Sequence, residues 1–250
     1  MLASPQAEPE VGARSAVRPR AGKSRSDAPD ATHAARVSPR MFDFWLFERF
    51  SRAHPATPAV VYGPVIAVAV GLAAWRGQSA LSILTGVVLG YLGWTLVEYW
   101  LHRLLFHLPV IGPKTKRVHF LIHGVHHDYP WDETRLVMPL GVSISLCVLT
   151  YAGFRAWLGP NEMWAPFAGF VFGYVFYDTV HWYVHAHHPK TGLLGWLRRE
   201  HFLHHFKQPR SRFGVSCPWL DYVFATRSAA RSTQHGHARE PEPGSSVNLR

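Results

Sequence analysis

Polar and apolar positions are spread very unevenly along the 250 residues. Four stretches run without Asp, Glu, Lys or Arg: Pro55–Trp75, Gly77–Val97, Leu136–Phe154 and Met163–Tyr177. A helix needs roughly 20 residues to cross the ~30 Å hydrocarbon core of a bilayer. The first three runs meet that length. The fourth meets it only by continuing past Asp178 to His181 and His185. The links Arg76-Gly-Gln-Ser79 and Gly159-Pro-Asn-Glu162 are too short to be anything but turns, so the runs pair into two helical hairpins. A soluble protein would have to hide all four behind little amphipathic sequence. The pattern therefore predicts an all-α integral membrane fold with four transmembrane helices.

Charge orients that fold. Lys and Arg number nine before Pro55, five between His102 and Arg135, and ten after Ala186, with almost none in the two tight turns. The positive-inside rule then puts both termini and the central loop on the cytosolic side. A net charge of +10 taken alone would also suit a nucleic-acid binder, but the apolar runs decide for a membrane. Residues 1–40, rich in Ala, Pro, Ser and Arg and free of large aromatics, read as a disordered basic tail, and 227–250 as a second tail. The domain is expected over 41–226. Met41-Phe-Asp-Phe-Trp-Leu-Phe-Glu-Arg-Phe50 suits either a helix lying in the membrane interface or one packed on the protein's own surface. Two cysteines, Cys147 and Cys217, are too few for a disulfide framework or a thiolate metal site.

Histidine is the anomaly. Of 17, 13 lie between His102 and His205, and all but His187 and His188 fall in four clusters expected on one membrane face. His102 and His107 follow the second run. His119, His123, His126 and His127 occupy the central loop, His181 and His185 end the fourth run, and His201, His204 and His205 come after it. On a helix, positions three and four apart share a face, so His123, His126 and His127 can point one way, as can His201, His204 and His205. That many imidazoles without a metal would leave many ring nitrogens seeking partners. One ion takes four to six ligands, so the clusters imply two ions. Imidazole alone suits zinc, copper, iron or nickel. A cytosolic histidine-rich di-metal cap on a helical bundle fits oxygen chemistry on a lipid chain. A zinc-binding membrane protein without redox activity is the rival reading, and His235 and His237, in the C-terminal tail, are expected to tolerate alanine.

The motifs H-x4-H, H-x2-H-H, H-x3-H and H-x2-H-H resemble those of the fatty acid hydroxylase superfamily. The flanks narrow the likeness to the fatty acid 2-hydroxylases of sphingolipid acyl chains. They include Leu101-His-Arg-Leu-Leu-Phe-His107, His119-Phe-Leu-Ile-His-Gly-Val-His-His127 and Arg135-Leu-Val-Met-Pro139. Gly173-Tyr-Val-Phe-Tyr-Asp178, His201-Phe-Leu-His-His-Phe206, Phe213-Gly-Val-Ser216 and Trp219-Leu-Asp-Tyr-Val-Phe224 continue the series over roughly residues 45–225. The resemblance implies that His102, His107, His123, His126, His127, His181, His185, His201, His204 and His205 are metal ligands. His119, His187 and His188 fall outside the set. Asp178 and Glu98, each one turn before a ligand position, are candidates to orient an imidazole or to reach water at a helix end.

The same likeness implies a di-iron mono-oxygenase that uses O2 to hydroxylate C2 of a long acyl chain, as a free acid or a ceramide N-acyl group, although zinc can occupy such sites. Sterol oxidases or desaturases and carotenoid hydroxylases are the alternatives within the superfamily. Many relatives carry a cytochrome b5-like haem domain; a 40-residue tail is too short for one. An external electron donor is therefore implied, such as cytochrome b5 or ferredoxin with a reductase. The location implied is the cytoplasmic membrane of a bacterium or the endoplasmic reticulum of a eukaryote.

Overall fold

The computed structural model describes residues 37–227, and every regular element among them is helical. The tail segments 1–36 and 228–250, with His235 and His237, lie outside the described residues. A short helix α1 (Trp45–Phe50) precedes the first hairpin of α2 (Thr57–Trp75) and α3 (Ala80–Trp100). The turn between them passes through Gly77 at φ 81°, where a side chain would be strained. Ser79 then caps α3 by accepting from Ser82 N at 3.2 Å. A π-helical turn, Leu101–Phe106, continues α3. The central loop holds α4 (Pro113–His119), a second π-helical turn (Phe120–Gly124), α5 (Val125–Asp128) and a 3₁₀ turn (Glu133–Arg135).

The second hairpin is α6 (Leu140–Glu162) and α7 (Trp164–Ala186), followed by α8 (Gly192–Phe206) and α9 (Trp219–Val223). Gly159, at φ 77° ahead of Pro160, breaks the end of α6. Arg76 and Gln78 in one turn bond Asn161 in the other at 2.8 and 2.7 Å, so both tight turns share one end of the bundle.

Among the described residues, three helices are long and apolar enough to cross a membrane: Thr57–Trp75, Ala80–Phe106 and Glu133–Glu162. The fourth apolar run does not qualify by composition, and its surroundings explain why. Helix α7 packs on α2, α3, α6 and α8. Of its 23 residues 13 are buried, against one of 23 in α6. An enclosed helix can carry Tyr174, Tyr177, Asp178 and His181, because protein surrounds them rather than lipid. Trp94, Phe167, Val171, Tyr174 and Tyr177 centre the core. The α3–α7 crossing is close enough that a Cβ on Gly90 would overlap the Pro166 carbonyl, and one on Gly169 the Val87 carbonyl. Backbones meet there because both helices present small residues.

Ser38 and Pro39 sit at the edge of the region that composition assigns to the tail. Ser38 is nonetheless buried, and it bonds Asp132 through both its N–H and its hydroxyl, at 2.9 and 2.6 Å.

Candidate metal centre

The ten imidazoles converge at the end of the bundle opposite the tight turns, in two adjacent groups of five. His102, His107, His123, His127 and His204 form the first; His126, His181, His185, His201 and His205 form the second. Within each group one ring nitrogen from every residue lies within 4.8 Å of all the others. His119, His187 and His188 belong to neither. His119 sits 6.2 Å from His107 between ring centroids, His187 stacks on Tyr183, and His188 faces Trp131.

Local backbone geometry explains who meets whom. His102 and His107 are five apart, which on an α-helix of 3.6 residues per turn would turn them roughly 140° from each other. The π-helical turn Leu101–Phe106 widens the spiral so that positions five apart align, and the two Nε2 atoms come to 3.2 Å. His123 and His127, four apart, also meet, at 3.1 Å. His126 turns away and meets His181 at 2.9 Å. The same division recurs on α8: His201 and His205 pair at 3.0 Å, while His204 crosses to His107 at 2.9 Å. Each H-x2-H-H motif is therefore split between the groups, where sequence spacing alone allowed all three of its imidazoles to face one way. His127 and His205, stacked at 4.2 Å, form part of the wall between the groups.

The donor set fits metal ions. His102 donates from Nδ1 to the Phe213 carbonyl at 2.5 Å, His181 to that of Leu136 at 2.8 Å, and His204 to that of Ser211 at 2.7 Å. A proton on Nδ1 leaves Nε2 unprotonated and facing its group, the tautomer a ligand needs. Nε2 atoms gather 2.9–3.2 Å apart, and the buried Nδ1 atoms of His126, His185, His201 and His205 have no hydrogen-bond partner, a donor set that a cation would satisfy.

Glu98 and Asp178, marked in the sequence as candidates to orient an imidazole, hydrogen-bond to none. Each acts through a backbone segment. Buried Glu98 accepts from Val215 N and Ser216 N at 2.9 and 2.7 Å and from the Ser216 hydroxyl, and Asp221 accepts from Phe213 N and Gly214 N at 2.8 and 2.9 Å. Together they hold the loop whose carbonyls anchor His102 and His204. Asp178 takes Met138 N at 3.2 Å, two residues beyond the Leu136 carbonyl that anchors His181. Asp221 lies in the Trp219–Phe224 flank, but its role is not legible there, because it depends on a loop conformation that spacing does not specify. Replacing Glu98 with Gln turns an amide N–H toward those donors. We expect roughly 10- to 100-fold weaker metal binding in the first group, the usual effect of losing such support, with the chain still folded; metal titration of the purified variant checks it.

Burial, reinforced by the His204 and His119 imidazoles, pulls His107 down to about 3, and burial takes His204 to about 4 against its bond to Ser211. His123, His126 and His201 are lowered for the same reason, burial first and neighbouring imidazoles second. These values lie below the ordinary ~6.5, so below that pH the unfolded chain binds more protons than the folded one. For the metal-free protein, stability should hold above about pH 6.5 and fall as acid is added below it. A melting temperature that did not drop between about pH 7.5 and 5.5 would count against neutral, buried imidazoles.

A cavity of about 320 Å³ borders both groups, touching His123 of the first and His126 and His181 of the second. Its other walls are mainly apolar, among them Leu105, Phe106, Ile122, Leu136 and Val142. An apolar space of this kind is chemically suited to a hydrocarbon chain.

The chain is similar to known proteins. A family model described as fatty acid hydroxylase matches residues 87–226. The chain is 35% identical over 195 residues to a dihydroceramide fatty acyl 2-hydroxylase of Arabidopsis thaliana, covering 77% of this chain and 81% of that one. It is 37% identical over 170 residues to a ceramide very long chain fatty acid hydroxylase of Saccharomyces cerevisiae, covering 67% and 44%. With the fatty acid 2-hydroxylase of Rattus norvegicus it shares 40% over 142 residues, covering 56% and 38%. It thus spans less than half the length of the last two. Among solved structures, the hydroxylase domain visible in full-length scs7p superposes with a TM-score of 0.66 at 35% identity, covering 72% of this chain and 69% of that one.

Proposed function

Since the chain belongs to the fatty acid hydroxylase family, we propose that it hydroxylates C2 of a long acyl chain, as a free acid or a ceramide N-acyl group. The observation that carries the reading is the apolar cavity bounded by imidazoles of both groups. The balance is one C–H bond and O2 in, with two electrons and two protons, and one C–OH bond and water out. The ten histidines would hold two ions, iron for activity. Bound there, iron supplies the O2 activation that no side chain can perform.

The chain's own residues do the rest. Carbonyls of Leu136, Ser211 and Phe213 hold three imidazoles in the ligand tautomer. Leu105, Phe106, Ile122 and Val142 exclude water and align the tail, so that the carboxyl end is left nearest the imidazoles. Electrons come from a separate donor, such as cytochrome b5 or ferredoxin with a reductase. In this reading α7 is a fourth span, residues 41–226 are the hydroxylase domain between two tails, and the histidine cap faces the cytosol with both termini. The Lys and Arg asymmetry supports that orientation.

Lipid extracts from cells with and without expression test the reaction. Accumulation of 2-hydroxy acyl chains is the expected result. Altered sterols or carotenoids with unchanged acyl chains would point to another substrate of the superfamily.

A further inference from the structure

Helix α1 takes no part in the reaction as read above, and its two faces are unlike. Glu48, Ser51 and Arg52 turn inward. Arg52 bonds Glu48 at 2.9 Å and Asp132 at 3.1 Å. Arg135, with its side chain 2% exposed, donates to Glu48 at 2.9 Å and to the hydroxyls of Ser38 and Ser51 at 2.8 Å each. Phe44, Trp45, Phe47 and Phe50 turn outward, 53–66% exposed, with Phe44 and Phe47 in edge contact at 5.3 Å. Six residues are too few to hold a helix by propensity. The polar network holds it, and so fixes the direction in which the aromatic face looks.

Two further observations say what that face meets. Helix α1 ends seven positions before Thr57, the first residue of a helix able to span a bilayer, and Arg40 and Arg49 are exposed beside it. Met41 and Ser51 also wall the cavity that reaches the imidazoles, and the same cavity is bordered by outward-facing Leu105, Ile122 and Val142.

We propose that α1 is a lid lying on the membrane surface. Its aromatic face sits in the boundary between headgroups and acyl chains of the leaflet on the histidine side, and its inner face roofs the cavity entrance. Aromatic rings with flanking arginines suit a lipid surface carrying anionic headgroups. The bonds of Ser38 to Asp132 and of Glu48 to Arg135 act as the latch that keeps the roof over the cavity. The lid part rests on the cavity being the acyl path; the membrane contact does not.

Nitroxide labels at Trp45→Cys and Phe47→Cys in a Cys147→Ser background, in proteoliposomes of phosphatidylcholine and phosphatidylglycerol, read the depth of the face. Collision with O2 should exceed collision with a water-soluble nickel chelate at both positions, and the reverse should hold at exposed Lys190→Cys. Labels at 45 and 47 that behave like the one at 190 would overturn the proposal. In the same vesicles, a phospholipid with a photoreactive diazirine in its acyl chain should leave adducts on peptides containing Met41 or Ser51. Immersed labels with adducts only on peptides of Leu105 or Ile122 would overturn the lid. Neither readout uses turnover, so both are independent of the proposed reaction.

Discussion

Alanine in place of His126 should abolish the 2-hydroxy product while leaving a folded chain that still holds one ion firmly. His126 is the only member of the second group drawn from the central loop, and it also lines the apolar cavity. Its loss leaves four imidazoles and an open hole on the cavity side. Losing only a supporting hydrogen bond already costs about 10- to 100-fold in affinity or activity, so losing the ligand should cost on the order of 100-fold or more. Metal content after a chelator challenge, with product measured by mass spectrometry, checks it. Full metal retention with normal product would remove His126 from the centre. Stripping both ions should have a structural effect as well. The groups join the turn after α3, the central loop, the end of α7 and α8, so amide exchange should quicken there while α2 and α6 stay protected.

Leucine in place of Gly169 should prevent assembly of the bundle. Even a Cβ there overlaps the Val87 carbonyl, and backbone cannot rotate aside as a side chain can. Helix α7 would be pushed off α3, carrying His181 and His185 with it. The expected cost exceeds the ~1–3 kcal/mol of ordinary overpacking. Gly153→Leu, on an exposed stretch of α6 with nothing within 4 Å of its would-be Cβ, is the matched control and should be tolerated. Thermal unfolding of both variants in one detergent gives the comparison; equal melting temperatures would show that the crossing can relax.

Much about this protein follows from its sequence alone. Charge-free runs of about 20 residues mark helices able to cross a bilayer, because hydrocarbon tolerates no unpaired backbone. The turns at Gly77 and Gly159 are legible because a chain reversing in so few residues passes through positive φ, where glycine is at ease. Histidines at helical spacing mark a centre rich in imidazole before any fold is known.

Only the tertiary structure decided the rest. Composition marks α7 as the less apolar helix but not what surrounds it, so its central place emerges only once α2, α3 and α6 are packed around it. The division of each H-x2-H-H motif between two groups depends on where the facing helices stand. Spacing says which imidazoles share a face, whereas packing says what each one meets. The alignment of His102 with His107 depends on a π-helical turn that local sequence does not announce. Glu98, Asp178 and Asp221 grip backbone rather than imidazole, because carboxylates buried beside a loop are satisfied by whichever N–H groups the fold brings near.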